Sequence, residues 1–185
     1  IVRESDRLSR LLSEFLDFAR VHEARRDRLD LVEIVRGAAT FAAAHPDRTE
    51  GVRVETQLPA EPLMVEGDED LLHRACFNLV LNALQAMDQP GAVTVSLRGV
   101  APADQPSGLP FHADAACIEV RDVGGGIAPE ILDRLFEPFI TTKPGGSGLG
   151  LAIVHRAIEA HRGVVLVDSD PAGTRFTVMI PLATD

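Results

Sequence analysis

The chain has 185 residues, with 28 acidic side chains against 18 Lys and Arg and a formal net charge of −10. That acidic balance excludes nucleic acid and anionic membrane as main partners, because both take basic patches. No run approaches the roughly 18 apolar residues of a membrane span, so no membrane contact is expected from these residues. The expected setting is cytoplasmic, either free or as the cytoplasmic part of a membrane-anchored protein.

The first residues repeat as a helix. Ile1, Leu8 and Phe15 recur every seven, with Leu11, Leu12, Phe18 and Ala19 between them and charged residues opposite. A single helix cannot bury such a stripe. Residues 1–24 are therefore expected to be one piece of a bundle, the alternative being that they pack back on their own domain. Residues 24–30 read as a charged joint. A helix is predicted from Leu31 to about Ala44, ended near Pro46. Strands are predicted over Val52–Gln57 and Leu63–Glu66. Asp68, Glu69 and Asp70 favour a helix start there, and that helix runs to about Met87.

Val93, Val95 and Leu97 alternate with polar residues as a half-buried strand. Residues 99–113, rich in Pro and Gly, read as a long loop. A strand over Cys117–Asp122, a short helix near 129–135 and a helix over Leu151–Ala160 follow, the last ending at Gly163. Val164–Asp168 and Thr174–Ile180 read as a hairpin. Cys76 and Cys117 both sit in apolar patterns, so they are expected as buried free thiols. The sum is an α+β layout: a mixed, largely antiparallel sheet of about five or more strands, with helices on one face.

Three patterns carry chemistry. Asn78 and Asn82 lie four apart on one helical face, with Gln85 a turn further. Asn forms helix poorly and is costly to bury unpaired, so the row implies a shared polar task. That task is either hydrogen bonding to a neighbouring loop or the oxygen ligation that Mg2+ accepts beside phosphate. Asp122-Val123-Gly124-Gly125-Gly126-Ile127 follows a strand. It is either a tight turn or a carboxylate beside glycines that let a flat ring approach the backbone. Gly145-Gly146-Ser147-Gly148-Leu149-Gly150-Leu151 opens a helix. It is either a surface loop or a phosphate cradle, with Lys143 supplying charge.

Their order, with Phe136-Glu137-Pro138-Phe139, Thr141-Thr142-Lys143 and Gly173-Thr174-Arg175-Phe176, forms a composite signature. Over about residues 63–182 it resembles the ATP-binding catalytic domain of two-component sensor histidine kinases. Asn78-Leu-Val-Leu-Asn82-Ala-Leu-Gln-Ala-Met87 is most similar to the nitrogen-regulation class. The resemblance implies a Bergerat-type α/β sandwich over 25–185, with a lid at about 137–150. Residues 1–24 would be the second helix of a dimerisation and phosphotransfer bundle.

What the resemblance implies for the residues is specific. Asn82 would coordinate Mg2+ and Asn78 assist. In related ATPases a water-activating glutamate stands at the position of Asn78, and an amide cannot act as that base. Asp122 would accept from the adenine amino group, supported by Thr174. Gly124 and Gly126 would admit the ring and its bound water, and Ile127 would line the slot. Phe136 and Phe139 would anchor the lid. Thr142 and Lys143 would lie near the terminal phosphates. Gly146, Gly148, Leu149 and Gly150 would wrap the phosphate chain.

The sequence also departs from the family. Val123 replaces a polar residue, and Gln85 stands where many members carry a lysine, leaving Lys143 as the clearest phosphate cation. His155 would reach phosphate or face solvent. Of the six His, only His22 is similar to the acceptor motif, and on the wrong side of the second helix. The acceptor His is thus expected upstream of Ile1, so this stretch would not phosphorylate itself. The implied activity is ATP-dependent histidine phosphorylation on that upstream helix of a homodimer, then transfer to a response-regulator Asp. The alternatives are an anti-sigma-type protein-serine kinase of the same fold, disfavoured by the helix over 1–20, and a non-catalytic nucleotide-binding module.

Overall fold

The computed structural model describes residues 26–46, 48–143 and 146–184. The expected bundle helix over 1–24 lies outside the described residues. From Asp27 the chain forms β1 (Asp27–Asp30), α1 (Leu31–Ala43), β2 (Val52–Gln57), β3 (Met64–Gly67), α2 (Glu69–Ala86), β4 (Gly91–Val100) and β5 (Ala115–Arg121). Then come α3 (Pro129–Leu132), α4 (Gly150–Ala160), β6 (Val164–Asp170) and β7 (Gly173–Pro181).

Five strands make one mixed sheet in the order β2-β4-β5-β7-β6. Only the β2–β4 pair is parallel, as expected when the connection between them carries a helix. The predicted hairpin is β6–β7, paired antiparallel from Val164 opposite Met179 to Asp170 opposite Gly173.

The period of two decides which face meets the helices. Val93, Val95 and Leu97 of β4, Ala116, Ile118 and Val120 of β5, and Phe176, Val178 and Ile180 of β7 all enter one core with α1, α2 and α4. Helix α2 lies between the other two, touching both. Its Leu72, Cys76, Leu79, Val80 and Ala83 are buried there. Burial pushes the Cys76 thiol up to about 12, so it behaves as an inert apolar group.

Two expectations need correction. The charged joint contains a strand: β1 pairs antiparallel with β3, from Asp27 opposite Gly67 to Asp30 opposite Met64. Asp and Arg have little β propensity, and a partner some 35 residues away supplies what local sequence does not. Asp30 then caps α1, its Oδ1 accepting from the Val32 and Leu63 N–H groups. The loop after β4 is also more than a connection. Its Leu109 and Phe111 cover Val100, Cys117 and Met179 on the outer face of the sheet. That cover is what buries Cys117.

Helix α4 ends as a Schellman motif. The Gly163 N–H donates to the Ile158 carbonyl (2.9 Å) and the Arg162 N–H to that of Glu159 (2.9 Å). The left-handed position of this motif usually takes glycine, yet here Arg162 holds φ +58°. Arg162→Gly is therefore expected to stabilise the chain by about 0.5–1 kcal/mol, read as a raised midpoint in urea unfolding.

His161, in the same cap, ties α4 to α2. Its Nδ1–H donates to the Ala157 carbonyl (2.6 Å), and its Nε2 accepts the Asp68 N–H (2.9 Å). A carbonyl only accepts and an N–H only donates, so the ring must be neutral, with its proton on Nδ1. Burial lowers its pKa from the ordinary 6.5, against an opposing contribution from the Ala157 hydrogen bond. The unfolded ring thus takes up a proton at a higher pH than the folded one. Its contribution to stability is complete above 6.5 and is lost as pH falls through that value towards the folded pKa. Between about pH 7.5 and pH 5, thermal melts should show a larger fall in Tm for the parent than for His161→Gln.

Candidate functional site: a buried carboxylate, an amide row and a glycine-hinged lid

The site gathers where β5 ends, α2 ends and the lid crosses. Asp122 follows β5 and is 3% exposed. Its Oδ1 accepts from the N–H groups of Gly124 (2.9 Å) and Thr174 (3.2 Å), and its own N–H donates to the Thr174 carbonyl (2.9 Å). Burial raises its pKa, and the two backbone hydrogen bonds and the Lys143 charge oppose that rise. Among the described residues, no protein group donates to Oδ2, which leaves it available to an incoming donor.

The glycines beside it are demanded by the protein itself. A Cβ on Gly124 would lie 2.1 Å from the Ala86 carbonyl oxygen, at the end of α2. One on Gly126, whose φ is +73°, would lie 2.0 Å from the Asp170 carbonyl. The loop is thereby wedged between α2 and the β6–β7 hairpin. A hydroxyl chain locks it: the Ile127 N–H donates to Ser169 Oγ (2.9 Å), which meets Thr174 Oγ1 (2.9 Å). Thr174 is buried. Ser169 was not a sequence candidate, because a serine in a strand next to a turn carries no distinguishing pattern.

Asn78, Asn82 and Gln85 stand half-buried along α2. Asn78 faces the first residue of α4: a Cβ on Gly150 would sit 3.6 Å from its Oδ1. Lys143 comes across from the lid. Its ammonium donates to Asn82 Oδ1 (2.5 Å), Gln85 Oε1 (3.0 Å) and the Asn82 carbonyl (3.4 Å). Burial pulls its pKa down to about 8, and Asp122 opposes that shift. A cation is thus already held by neutral amide oxygens. Among the described residues, no three His, Cys, Asp or Glu side chains gather as a metal ligand set. The oxygen donors present suit Mg2+, completed by phosphate and water.

The lid has a firm neck. The Phe139 N–H donates to the Gly148 carbonyl (2.9 Å), and both residues lie in the left-handed region, at φ +68° and +69°. A Cβ on Gly148 would overlap the Phe139 backbone at 2.4 Å. Phe139 is one of the two residues expected to anchor the lid. Its ring is 64% exposed, and its contact with Gly148 is made by the backbone. Phe136 packs on the core and stacks on His155, with ring centroids 5.0 Å apart. His155, for which phosphate or solvent was expected, pairs with Glu159 (3.3 Å) beside that ring. Leu149 is buried under the start of α4, and Ser147 Oγ accepts its N–H (3.2 Å). Gly146 donates to the Lys143 carbonyl (3.1 Å), and Thr142 is exposed on the lid. Val123 is exposed, while Ile127 packs at the core's edge. A cavity of about 940 Å3 lies elsewhere, with His161, Phe111 and His155 among its lining residues.

Together the sheet, the amide row and the glycine-rich loop before α4 form one site on an α/β sandwich. Residues 67–184 match the family described as histidine kinase-, DNA gyrase B-, and HSP90-like ATPase, and the chain belongs to that family. It is 31% identical over 185 residues to the sensor histidine kinase ZraS of Escherichia coli, covering 98% of this chain and 37% of that protein. The chain thus spans little more than a third of that relative. Among solved structures, ShkA in complex with AMPPNP superposes with a TM-score of 0.77 at 29% identity, over 99% of this chain and 38% of that one. The mycobacterial sensor histidine kinase MprB gives 0.69 at 28%, over 86% and 99%. Among the described residues, no helix is long and apolar enough to cross a membrane.

The contact of Gly124 with the Ala86 carbonyl gives a test that needs no ligand. Gly124→Ala is expected to lower unfolding stability by about 1–3 kcal/mol, because the added methyl must push α2 and the loop apart. Urea denaturation of the ligand-free chain measures it.

Proposed function

We propose that this chain is the ATP-binding catalytic region of a sensor histidine kinase, passing the γ-phosphoryl of ATP to a His on an upstream phosphotransfer helix. From that His it passes to an Asp on a response regulator, and the full-length protein works as a homodimer. The observation that carries the reading is the pairing of two unlike ends within one site. Asp122 presents a buried carboxylate at one, and Asn82, Gln85 and Lys143 gather cation chemistry at the other, close enough that the two charges shift one another.

The roles follow from the chemistry of each group. Asp122 Oδ2 accepts a hydrogen bond from the adenine amino group, and its buried position excludes water that would compete. Thr174 fixes the carboxylate by its N–H, and Ile127 borders the ring. Gly146, Gly148, Leu149 and Gly150 bring the lid and the N-terminus of α4 to the phosphates, where backbone N–H groups suit negative charge. Asn82 Oδ1, assisted by Asn78, would hold Mg2+, which neutralises phosphate charge. Lys143 and Thr142 face the terminal phosphates from the lid, and Phe136 supports its base. Asn78 is an amide and cannot take a proton from water at neutral pH. The site therefore favours transfer to a delivered acceptor over hydrolysis. ShkA's complex with AMPPNP supports the same choice of ligand.

Calorimetry tests this reading. The chain is expected to bind ATP with Mg2+, to lose binding in Asp122→Ala, and to bind without metal dependence in Asn82→Ala. Absence of nucleotide heat in the parent would overturn it. An extended chain carrying the acceptor His should gain acid-labile, alkali-stable phosphate.

A further inference from the structure

Lys143 is the only lysine in the chain; the other seventeen basic residues are Arg. Its ammonium crosses from the lid to two side-chain amide oxygens of α2, on Asn82 and Gln85. Asn82 is the residue assigned above to the metal. Its Oδ1 cannot serve a divalent cation and a close ammonium together without strong repulsion, since like charges a few ångströms apart in a partly desolvated site repel steeply. Gln85 has no such second duty. It stands in the last turn of α2, next to Ala86, whose carbonyl is wedged against Gly124. Its backbone is therefore fixed relative to Asp122.

We propose that Gln85 is the positioning residue for Lys143, holding its ammonium against α2 once Asn82 turns to the metal. The proposal rests on the ATP reading above and adds a residue to it. The acceptor's neutrality is part of its role. A carboxylate here would hold the ammonium more firmly but would cancel its charge, and would also repel phosphate. A neutral amide orients the ammonium and leaves the charge to the nucleotide. Guanidinium in place of ammonium would be a planar fork, poorly matched to two amide oxygens converging on one point.

The single lysine makes the test direct. Protein labelled with 13C-lysine gives one side-chain Cε resonance, which needs no assignment, and calorimetry gives Mg2+-ATP affinity on the same samples. In Gln85→Ala the resonance should move towards that of free lysine, with Mg2+-ATP binding weakened about tenfold and Tm little changed. In Gln85→Glu the resonance should stay displaced, yet binding should fall further than in Gln85→Ala. A residue that only supported the helix would not separate these two variants in that order. Parent-like binding and an unmoved resonance in Gln85→Ala would overturn the proposal, and so would binding in Gln85→Glu equal to or tighter than the parent's. Failure of the parent to bind nucleotide overturns the ATP reading instead, while the resonance still decides whether Gln85 holds Lys143.

Discussion

The close approach of the Asp122–Gly126 loop to the end of α2 is the constraint on which the site depends. With only a hydrogen on Gly124, the loop backbone comes against the Ala86 carbonyl. That contact sets the buried carboxylate of Asp122 beside the helix that carries Asn78, Asn82 and Gln85. On its other side the loop is held by the Asp170 carbonyl and the Ser169–Thr174 hydroxyl pair. Asp122 and the amide row are thus joined through packed backbone rather than through long side chains, which limits their freedom to drift apart.

Charge is handled just as locally. A chain with net charge −10 is a poor match for a polyanion as a whole. The site answers with neutral oxygens, backbone N–H groups and one ammonium. Burial costs that ammonium part of its basicity, and Asp122 returns some of it. The lysine arrives from the segment after Phe139 rather than from the helix, so its place depends on how that segment packs against α2.

Much of the fold was legible because its elements are strongly periodic. The alternation in β4 and the apolar face of α2 mark the core side of both elements. The Asp122 loop, the amide row and the lid glycines were legible as composition that propensity does not explain. What escaped was whatever needs a distant partner. β1 is a row of charged residues until β3 pairs with it. Leu109 and Phe111 look like scattered apolar residues in a loop until they cover Cys117. The neutral bridge of His161 between two helices has no trace in its neighbours along the chain.

By itself, the sequence determined the order of the strongly periodic elements, their apolar faces and which residue types are available for chemistry, because those follow from local period and composition. Only the tertiary structure decided why the glycines must be glycines, that Phe139 works through its backbone, and that Lys143 reaches Asn82 and Gln85 across some sixty residues. Those are distances between backbones far apart in the chain. They are set when α2, the sheet and the lid pack as one, and no local pattern encodes them.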